Sequence, residues 1–254
     1  MGPVITLARY TVIEARRGGL PWLAAGCIAI ALALAAFLSQ VAITESLQLQ
    51  AALMAAFLRA SAVFLVAVHV VTSVVRDNAD KGFELVLSLP LSRAAFFAGK
   101  LVGHAAVGAA VATAFAVPLL LWSPPGAVVA WWLSLLFETL LAAAVSLFFV
   151  FTLANVVPAL AAITGFYLLA RSIAAFQAIA TGPIADQGLL GRVARWGVDG
   201  VAYLLPRLDA ATRTDWILYG APALAELLPV IGGLALYAAL ACAAGLVDFH
   251  RRNL

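Results

Sequence analysis

Long apolar runs alternate with short polar segments along this chain, and six of the runs are long enough to cross a lipid bilayer. The hydrocarbon core of a membrane is about 30 Å thick, which a helix of about 20 apolar residues can span. We therefore expect an all-α polytopic membrane protein, with residues 1–254 forming a single membrane domain. The predicted spans are 20–43, 51–75, 98–122, 128–154, 157–176 and 223–247.

Residues 3–18, which precede the first span, mix apolar and charged positions. Val4 and Leu7 recur at helical spacing, and the charged Glu14, Arg16 and Arg17 follow them. This amphipathic pattern predicts a short elbow helix on the membrane surface. A cleavable signal peptide is not expected, because the apolar run that follows is long and lacks a clean small-residue cleavage site.

Residues 177–222 form the longest connection between predicted spans. Leu189, Val193, Trp196 and Leu204 recur at near-helical spacing within it, with charged residues between them. We expect this segment to be partly helical and to lie in the membrane interface or enter the bundle, packed on the other helices.

The composition agrees with this class of protein and excludes others. Apolar residues make up 65% of the chain and charged residues 11%, whereas soluble domains have about 45–50% and about 25%. A water-soluble enzyme and a disordered chain are therefore excluded, and two cysteines are too few for a disulfide scaffold. The net charge of +3 does not indicate nucleic-acid binding, because the basic residues flank the apolar runs.

The positions of the basic residues predict the orientation of the bundle. Basic residues precede the first span, occur in 76–97 and follow the last span, whereas the connections 44–50 and 123–127 have none. The positive-inside rule therefore places both termini and residues 76–97 in the cytoplasm. Short loops and the absence of a transit-like leader favour the bacterial inner membrane. Segment 177–222 is then external, and we assign five arginines to it: Arg171, Arg192, Arg195, Arg207 and Arg213.

The sequence contains no motif for catalysis or nucleotide hydrolysis. Gly99-Lys100 is its only Gly-Lys pair, and the leading glycine and the following Ser/Thr of a phosphate-binding loop are missing. Motifs of serine hydrolases, zinc proteases and paired-cysteine sites are also absent. We predict a non-enzymatic chain that binds no metal and no cofactor of its own. Any energy from ATP must come from another subunit.

Among the ionisable residues within predicted spans we single out Arg59, His69, His104 and Glu138. Such residues are costly in lipid and usually face protein or water. Arg59 and Glu138 lie at similar depths, so they either pair across the bundle or each face a central cavity, where Arg59 would attract an anionic head group. A metal site at His69 and His104 would need further ligands. We therefore expect these two histidines to form interhelical hydrogen bonds.

The cytoplasmic segment 76–97 is charged at first and then apolar. Its large apolar residues precede Pro90, and Ser92 is placed to cap the helix that enters the third span. A polar linker needs no such apolar run. The segment should therefore cover the membrane surface or seat as a short helix in the groove of a partner.

The same residues resemble the signature of type-2 ABC transporter permeases. That signature is an acidic residue, a glycine, an acid-Leu-Leu-like run, Pro-x-Ser-Arg and Gly-Lys. The elbow, the six spans, the long external segment and the basic tail are similar too, and 205–209 resembles the subgroup linked to multi-copper enzyme maturation. The signature residues here are Asp80, Gly82, Glu84 to Leu87, Pro90 to Arg93, and Gly99-Lys100.

The resemblance implies a function and a set of partners. Two permease copies, as a homodimer, would form the pathway of an exporter, and a cytoplasmic P-loop ATPase subunit would bind ATP and Mg. Membrane lipid and a periplasmic accessory protein are further expected partners, and nucleic acid is not. Segment 76–97 would be the coupling helix, with coupling residues Asp80, Gly82, Glu84, Leu87, Pro90 and Arg93.

Two other classes of protein remain open from the residues alone. A secondary carrier would use Arg59 and Glu138 as a gated pair, and a membrane-embedded enzyme would use His69 and His104 with Glu138. Neither needs a partner ATPase. The mixture of Arg, Trp and aliphatic residues in 177–222 suits an amphipathic anion but does not select a substrate.

Overall fold

The computed structural model describes residues 2–41, 46–79, 92–182 and 188–251, and these contain nine helices and no strand. Six of the helices are long and apolar enough to cross a membrane, which confirms the predicted all-α class and the number of spans. The helices are α1 (Pro3–Arg17), α2 (Leu20–Val41), α3 (Ser46–Ala79), α4 (Arg93–Leu119), α5 (Pro125–Leu153), α6 (Val156–Thr181), α7 (Leu189–Leu204), α8 (Thr214–Tyr219) and α9 (Leu224–Arg251).

Several helices extend beyond the predicted apolar spans. The 34 residues of α3 measure about 50 Å at 1.5 Å per residue, well beyond the thickness of a bilayer core. Its last turn carries Arg76 and Asp77, which contact protein side chains, so the helix continues past its apolar stretch. At the start of α4 the Ser92 hydroxyl accepts a hydrogen bond from the Ala95 N–H at 3.1 Å, as the sequence predicts for an N-cap.

Helix α5 is the centre of the bundle. In its most apolar window 67% of the residues are buried, against 17% in α2 and in α9, which lie at the periphery. Helices α3, α4, α6 and α9 all pack on α5. Its buried face alternates large side chains such as Trp131 and Leu147 with the small residues 142–144, which lets neighbouring helices approach closely.

Helix α1 packs along the first turns of α4, and two glycines make this contact possible. A Cβ atom at Gly99 would lie 2.7 Å from the Cβ of Leu7, and one at Gly103 would lie 2.6 Å from the Cβ of Thr11. Real Cβ atoms do not approach so closely, so only glycine fits at these positions. The Gly99-x-x-x-Gly103 pair therefore serves a contact within the chain.

The bundle has two distinct ends, which we name after the residues at their centres. At the Lys100 end lie α1, the end of α3, the start of α4 and the end of α9. At the Thr212 end lie the start of α3 and the end of α4, where the Trp122 indole donates to Gln50 Oε1 at 3.1 Å. There the Ser123 hydroxyl also donates to the Ile217 carbonyl at 2.9 Å, which attaches α8 to the bundle.

Candidate functional site

Glu138 lies in the middle of α5 and is only 1% exposed. Its two carboxylate oxygens accept hydrogen bonds from different parts of the chain. The Tyr167 hydroxyl of α6 donates to Oε1 at 3.0 Å, and the Thr212 hydroxyl donates to Oε2 at 2.6 Å. Both bonds compensate for the removal of the carboxylate from water.

Thr212 belongs to the non-helical segment 205–213, which enters the bundle from the Thr212 end. Its φ of +45° lies in the left-handed region, which is rare for a β-branched residue. Besides the bond to Glu138, three contacts with Ser134 and Arg59 hold it there. Its N–H donates to Ser134 Oγ at 2.9 Å, its hydroxyl lies 3.2 Å from the same Oγ, and its carbonyl accepts from Arg59 Nη1 at 2.9 Å.

Arg59 and Glu138 therefore meet at Thr212 and do not form a direct ion pair. The ion pairs among the described residues do not include these two side chains. The sequence allowed either a direct pair or two groups facing a cavity. The arrangement found is a third one, because the backbone of 205–213 supplies the polar partners that lie between them.

Arg171 is a site residue that the sequence assigned to the wrong place. It lies on α6, one of the six helices long and apolar enough to cross a membrane, and not in the connection between α6 and α9. Its Nη1 donates to the carbonyls of Leu208 and of Ala211, the latter at 2.8 Å. Non-helical backbone at membrane depth needs such internal donors because lipid offers none. Its position inside an apolar run could have identified Arg171 as a site residue, because the same feature identified Arg59 and Glu138.

We call Arg59, Ser134, Glu138, Tyr167, Arg171 and Thr212 the Thr212 site. Its ionisable side chains carry two positive charges and one negative charge, and the carbonyls of 205–213 accept hydrogen bonds from both guanidinium groups. An apolar crevice beside Glu138 has room for about one water molecule. In this conformation the site holds the segment in the bundle and leaves no wide path past Glu138.

A second group of charges connects helices at the Lys100 end. The Lys100 side chain is 7% exposed, and its Nζ lies 2.5 Å from Asp77 Oδ2 and 4.0 Å from Glu14 Oε2. The Ser73 hydroxyl donates to Glu14 Oε2 at 2.8 Å, and Arg76 Nη1 lies 3.8 Å from Glu14 Oε1. We call these five residues the Lys100 cluster. It joins α1, α3 and α4, and the sequence analysis assigned it no role.

The predicted coupling residues lie in the sequence between the end of α3 and the first residue of α4. Arg93, the first residue of α4, donates from Nη1 to the carbonyls of Phe249 at 3.3 Å and His250 at 2.9 Å, at the end of α9. A guanidinium at a helix C-terminus satisfies carbonyls that lack a helical partner. The other predicted coupling residues, Asp80, Gly82, Glu84, Leu87 and Pro90, lie outside the described residues.

His69 and His104 are neighbours on α3 and α4, but they contact each other through their rings. The centroids lie 5.2 Å apart at 71°, an edge-to-face arrangement in place of the expected interhelical hydrogen bond. His104 is fully buried, and both of its ring nitrogens and His69 Nε2 are without hydrogen-bond partners. Within the described ranges no three His, Cys, Asp or Glu side chains are grouped as a metal site would require.

Arg207 of the 205–213 segment has a pKa that is shifted by its neighbour Asp209. Arg207 Nε and Nη2 both donate to the Asp209 carboxylate at 3.1 Å, which makes a two-point ion pair. These hydrogen bonds, together with the charge of Asp209, raise the pKa of Arg207 above its ordinary value. Arg207 therefore keeps its positive charge throughout the physiological range.

The fold and the two charged sites define a class of protein. The chain is an all-helical protein with six helices able to span a membrane, arranged around α5. No protein-family model matches it, and no curated protein matches it significantly.

Proposed function

We propose that this chain is the membrane-spanning permease subunit of an ATP-driven ABC exporter. Two copies form the translocation pathway as a homodimer in the bacterial inner membrane, with both termini cytoplasmic. A separate P-loop ATPase subunit binds ATP and Mg and docks on the 76–97 segment. The resemblance of Asp80 to Lys100 to the type-2 permeases supports this function, as do the six candidate spans.

The observation that carries the proposal is the Lys100 cluster. The 76–97 segment leaves α3 just after Asp77 and enters α4 shortly before Lys100, and these two side chains form a short ion pair. Glu14 of α1 contacts the same group. Removing one partner of a buried ion pair is costly, so the three helix ends are expected to move together. A push on the segment would therefore reach α1, α3 and α4 at once.

The Thr212 site suits the opposite end of such a pathway. It holds a strained, non-helical segment at membrane depth with hydrogen bonds that can be exchanged. Strained residues persist only where their surroundings hold them, and they occur often in switch regions. We infer that 205–213 closes the pathway at the external end, and that ATP-driven movement at the Lys100 end releases it.

Co-purification tests the proposal directly. A tagged copy is purified from its native cells in mild detergent, and the bound proteins are identified by mass spectrometry. We expect a stoichiometric P-loop ATPase and vanadate-sensitive ATP hydrolysis in the preparation. A chain that purifies alone and transports its substrate without nucleotide would instead favour the secondary carrier.

A single substitution in the proposed coupling segment refines this test. Glu84→Lys reverses a charge expected to face the ATPase, so ATP hydrolysis should become uncoupled from transport while the membrane fold stays intact. Glu226→Lys, on the exposed first turn of α9, is the matched charge reversal outside the segment. Equal coupling in the two variants would remove Glu84 from the mechanism.

A further inference from the structure

A cavity of about 530 Å³ opens between α6, α7 and α9 at the Thr212 end, separate from the Thr212 site. Its volume lies within the range of about 300–1,000 Å³ that small-molecule sites occupy. Five of its lining residues carry polar or aromatic groups: Gln177, Asp199, Tyr203, Arg207 and Tyr237. Of these residues only Arg207 belongs to the 205–213 segment of the proposed transport function, and the other four have no role in it.

The two charged walls of the cavity carry opposite signs. Asp199 of α7 is half-buried, and its Oδ1 accepts a hydrogen bond from Gln177 Nε2 at 2.9 Å, which orients the carboxylate. Arg207 uses two of its N–H groups on Asp209, so three of the five donors of its guanidinium remain for another acceptor. The cavity thus offers one acceptor for a cation and one donor group for an anion.

The balance of charge and the aromatic rings favour the cation. Asp199, Arg207 and Asp209 together carry a net charge of −1, and Asp209 already neutralises the arginine. Tyr203 and Tyr237 lie at the same cavity, and the Tyr237 hydroxyl donates to the Tyr203 carbonyl at 3.2 Å, which joins α9 to α7. Ammonium groups bind well between a carboxylate and aromatic rings.

The outer face of α7 indicates the depth at which the cavity lies. Leu189, Val193 and Trp196 lie on one side of this helix, and Trp196 is 77% exposed. The opposite side, with Val198 and Ala202, packs on the bundle, and Asp199 lies at the boundary between the two sides, where it contacts Gln177 of α6. An amphipathic helix with exposed Leu and Trp lies at the level of the lipid head groups, where tryptophan is enriched. The cavity behind α7 therefore faces lipid head groups.

We propose that this cavity binds the zwitterionic head group of a phospholipid, with its ammonium at Asp199 and the two tyrosines and its phosphate at Arg207. Phosphatidylethanolamine carries both groups, an ammonium for Asp199 and a phosphate for Arg207. Phosphatidylglycerol lacks the ammonium, and its net negative charge opposes the charge of the cavity. The lipid would fix α7 against α6 and α9, independently of which substrate the protein transports and of whether it is a permease.

Native mass spectrometry of the purified full-length protein tests this site. The protein is mixed with equal amounts of phosphatidylethanolamine and phosphatidylglycerol, and the retained lipid is counted for the wild type and for Asp199→Asn. We expect the wild type to retain phosphatidylethanolamine preferentially. The asparagine variant should lose on the order of tenfold in affinity for it, as for a lost charge-assisted hydrogen bond.

Two further variants separate binding from folding. Asparagine at 199 can still accept from Gln177, so the variant should keep the wild-type melting temperature. Asp215→Asn removes an exposed carboxylate that pairs with Arg213 outside the cavity, and it should retain lipid like the wild type. Arg207→Gln should also weaken phosphatidylethanolamine retention. Equal retention of the two lipids by the wild type, or unchanged retention by Asp199→Asn, would overturn the proposal.

Discussion

At the scale of single residues, Glu138 depends on hydrogen bonds to both of its carboxylate oxygens. Both of its carboxylate oxygens accept from hydroxyl groups, and no bulk water reaches them. In Glu138→Gln one of these oxygens becomes an NH₂ group, which faces a hydroxyl that was donating. That hydroxyl can turn to accept from the NH₂ group, but its own hydrogen then loses the carboxylate acceptor, so the free energy of unfolding should fall by about 1–3 kcal/mol.

The melting temperature in detergent measures this loss. Glu226→Gln is the matched control, because Glu226 is exposed on α9, and its change should stay within about 0.5 kcal/mol. If Glu138→Gln melted at the same temperature as Glu226→Gln, the hydrogen bonds to Tyr167 and Thr212 would contribute nothing measurable, and the Thr212 site would not hold 205–213 in place.

Lys100 makes a second prediction at this scale. Lys100→Met keeps the length of the side chain but leaves Asp77 and Glu14 without their cation. Both carboxylates are about one-quarter to one-third exposed, so water screens part of the cost, and we expect a loss of about 1–3 kcal/mol. A double-mutant cycle with Asp77→Asn should give a clear coupling energy. Additive losses would show that the pair does not join α3 to α4.

At the scale of helices, the contact of α1 with α4 depends on the absence of side chains at two positions. Gly103→Val places a branched side chain where Thr11 already lies, so α1 should move away from α4. Arg16 and Arg17 are already exposed, but they lie in a packed helix. Detachment of α1 should let this helix unfold locally, and faster tryptic cleavage at the two arginines is the measurement. Gly165→Ala, where an added Cβ meets nothing within 4 Å, is the control and should leave cleavage unchanged.

The opposite result for this pair would also be informative. Slow cleavage in Gly103→Val would mean that the charges of the Lys100 cluster hold α1 without the close approach of the two helices. Proteolysis of Gly103→Val combined with Lys100→Met would then show whether the cluster is sufficient. If that double variant is also resistant to trypsin, α1 is held by neither contact.

At the scale of the whole molecule, the length of the apolar runs predicts the six spans, because a helix needs about 20 apolar residues to cross the bilayer core. It does not predict where those helices end. The last turn of α3 continues because Arg76 and Asp77 find partners on other helices. Such pairs connect residues far apart in the sequence, and nothing in the local pattern marks them.

The Thr212 site shows the same limit more strongly. Arg59 and Glu138 were identifiable because a charge inside an apolar run is unusual. Their common partner lies 153 residues from Arg59 and 74 residues from Glu138 along the chain. Segment 205–213 has neither helical nor strand periodicity, so its insertion into the bundle depends on donors and acceptors that only the tertiary fold brings together.

The distribution of paired and unpaired arginines predicts an orientation for the whole molecule. At the Thr212 end, Arg207 and Arg213 pair with Asp209 and Asp215, each two residues away, so these sites add little net positive charge. At the Lys100 end, the basic residues of α1 and Arg251 of α9 lie with the start of α4. The two ends therefore differ in net positive charge, and the positive-inside rule predicts that the Lys100 end is cytoplasmic.

Cysteine labelling of intact cells tests this orientation. Cys27 and Cys242 are free thiols and are first replaced by alanine. A cysteine at Tyr219, which is strongly exposed at the Thr212 end, should then react with a membrane-impermeant maleimide in intact cells. A cysteine at Gly2, next to α1, should react only after the cells are permeabilised. The reverse pattern would place the Lys100 end outside, where no ATPase could reach it, and the permease proposal would fail with the orientation.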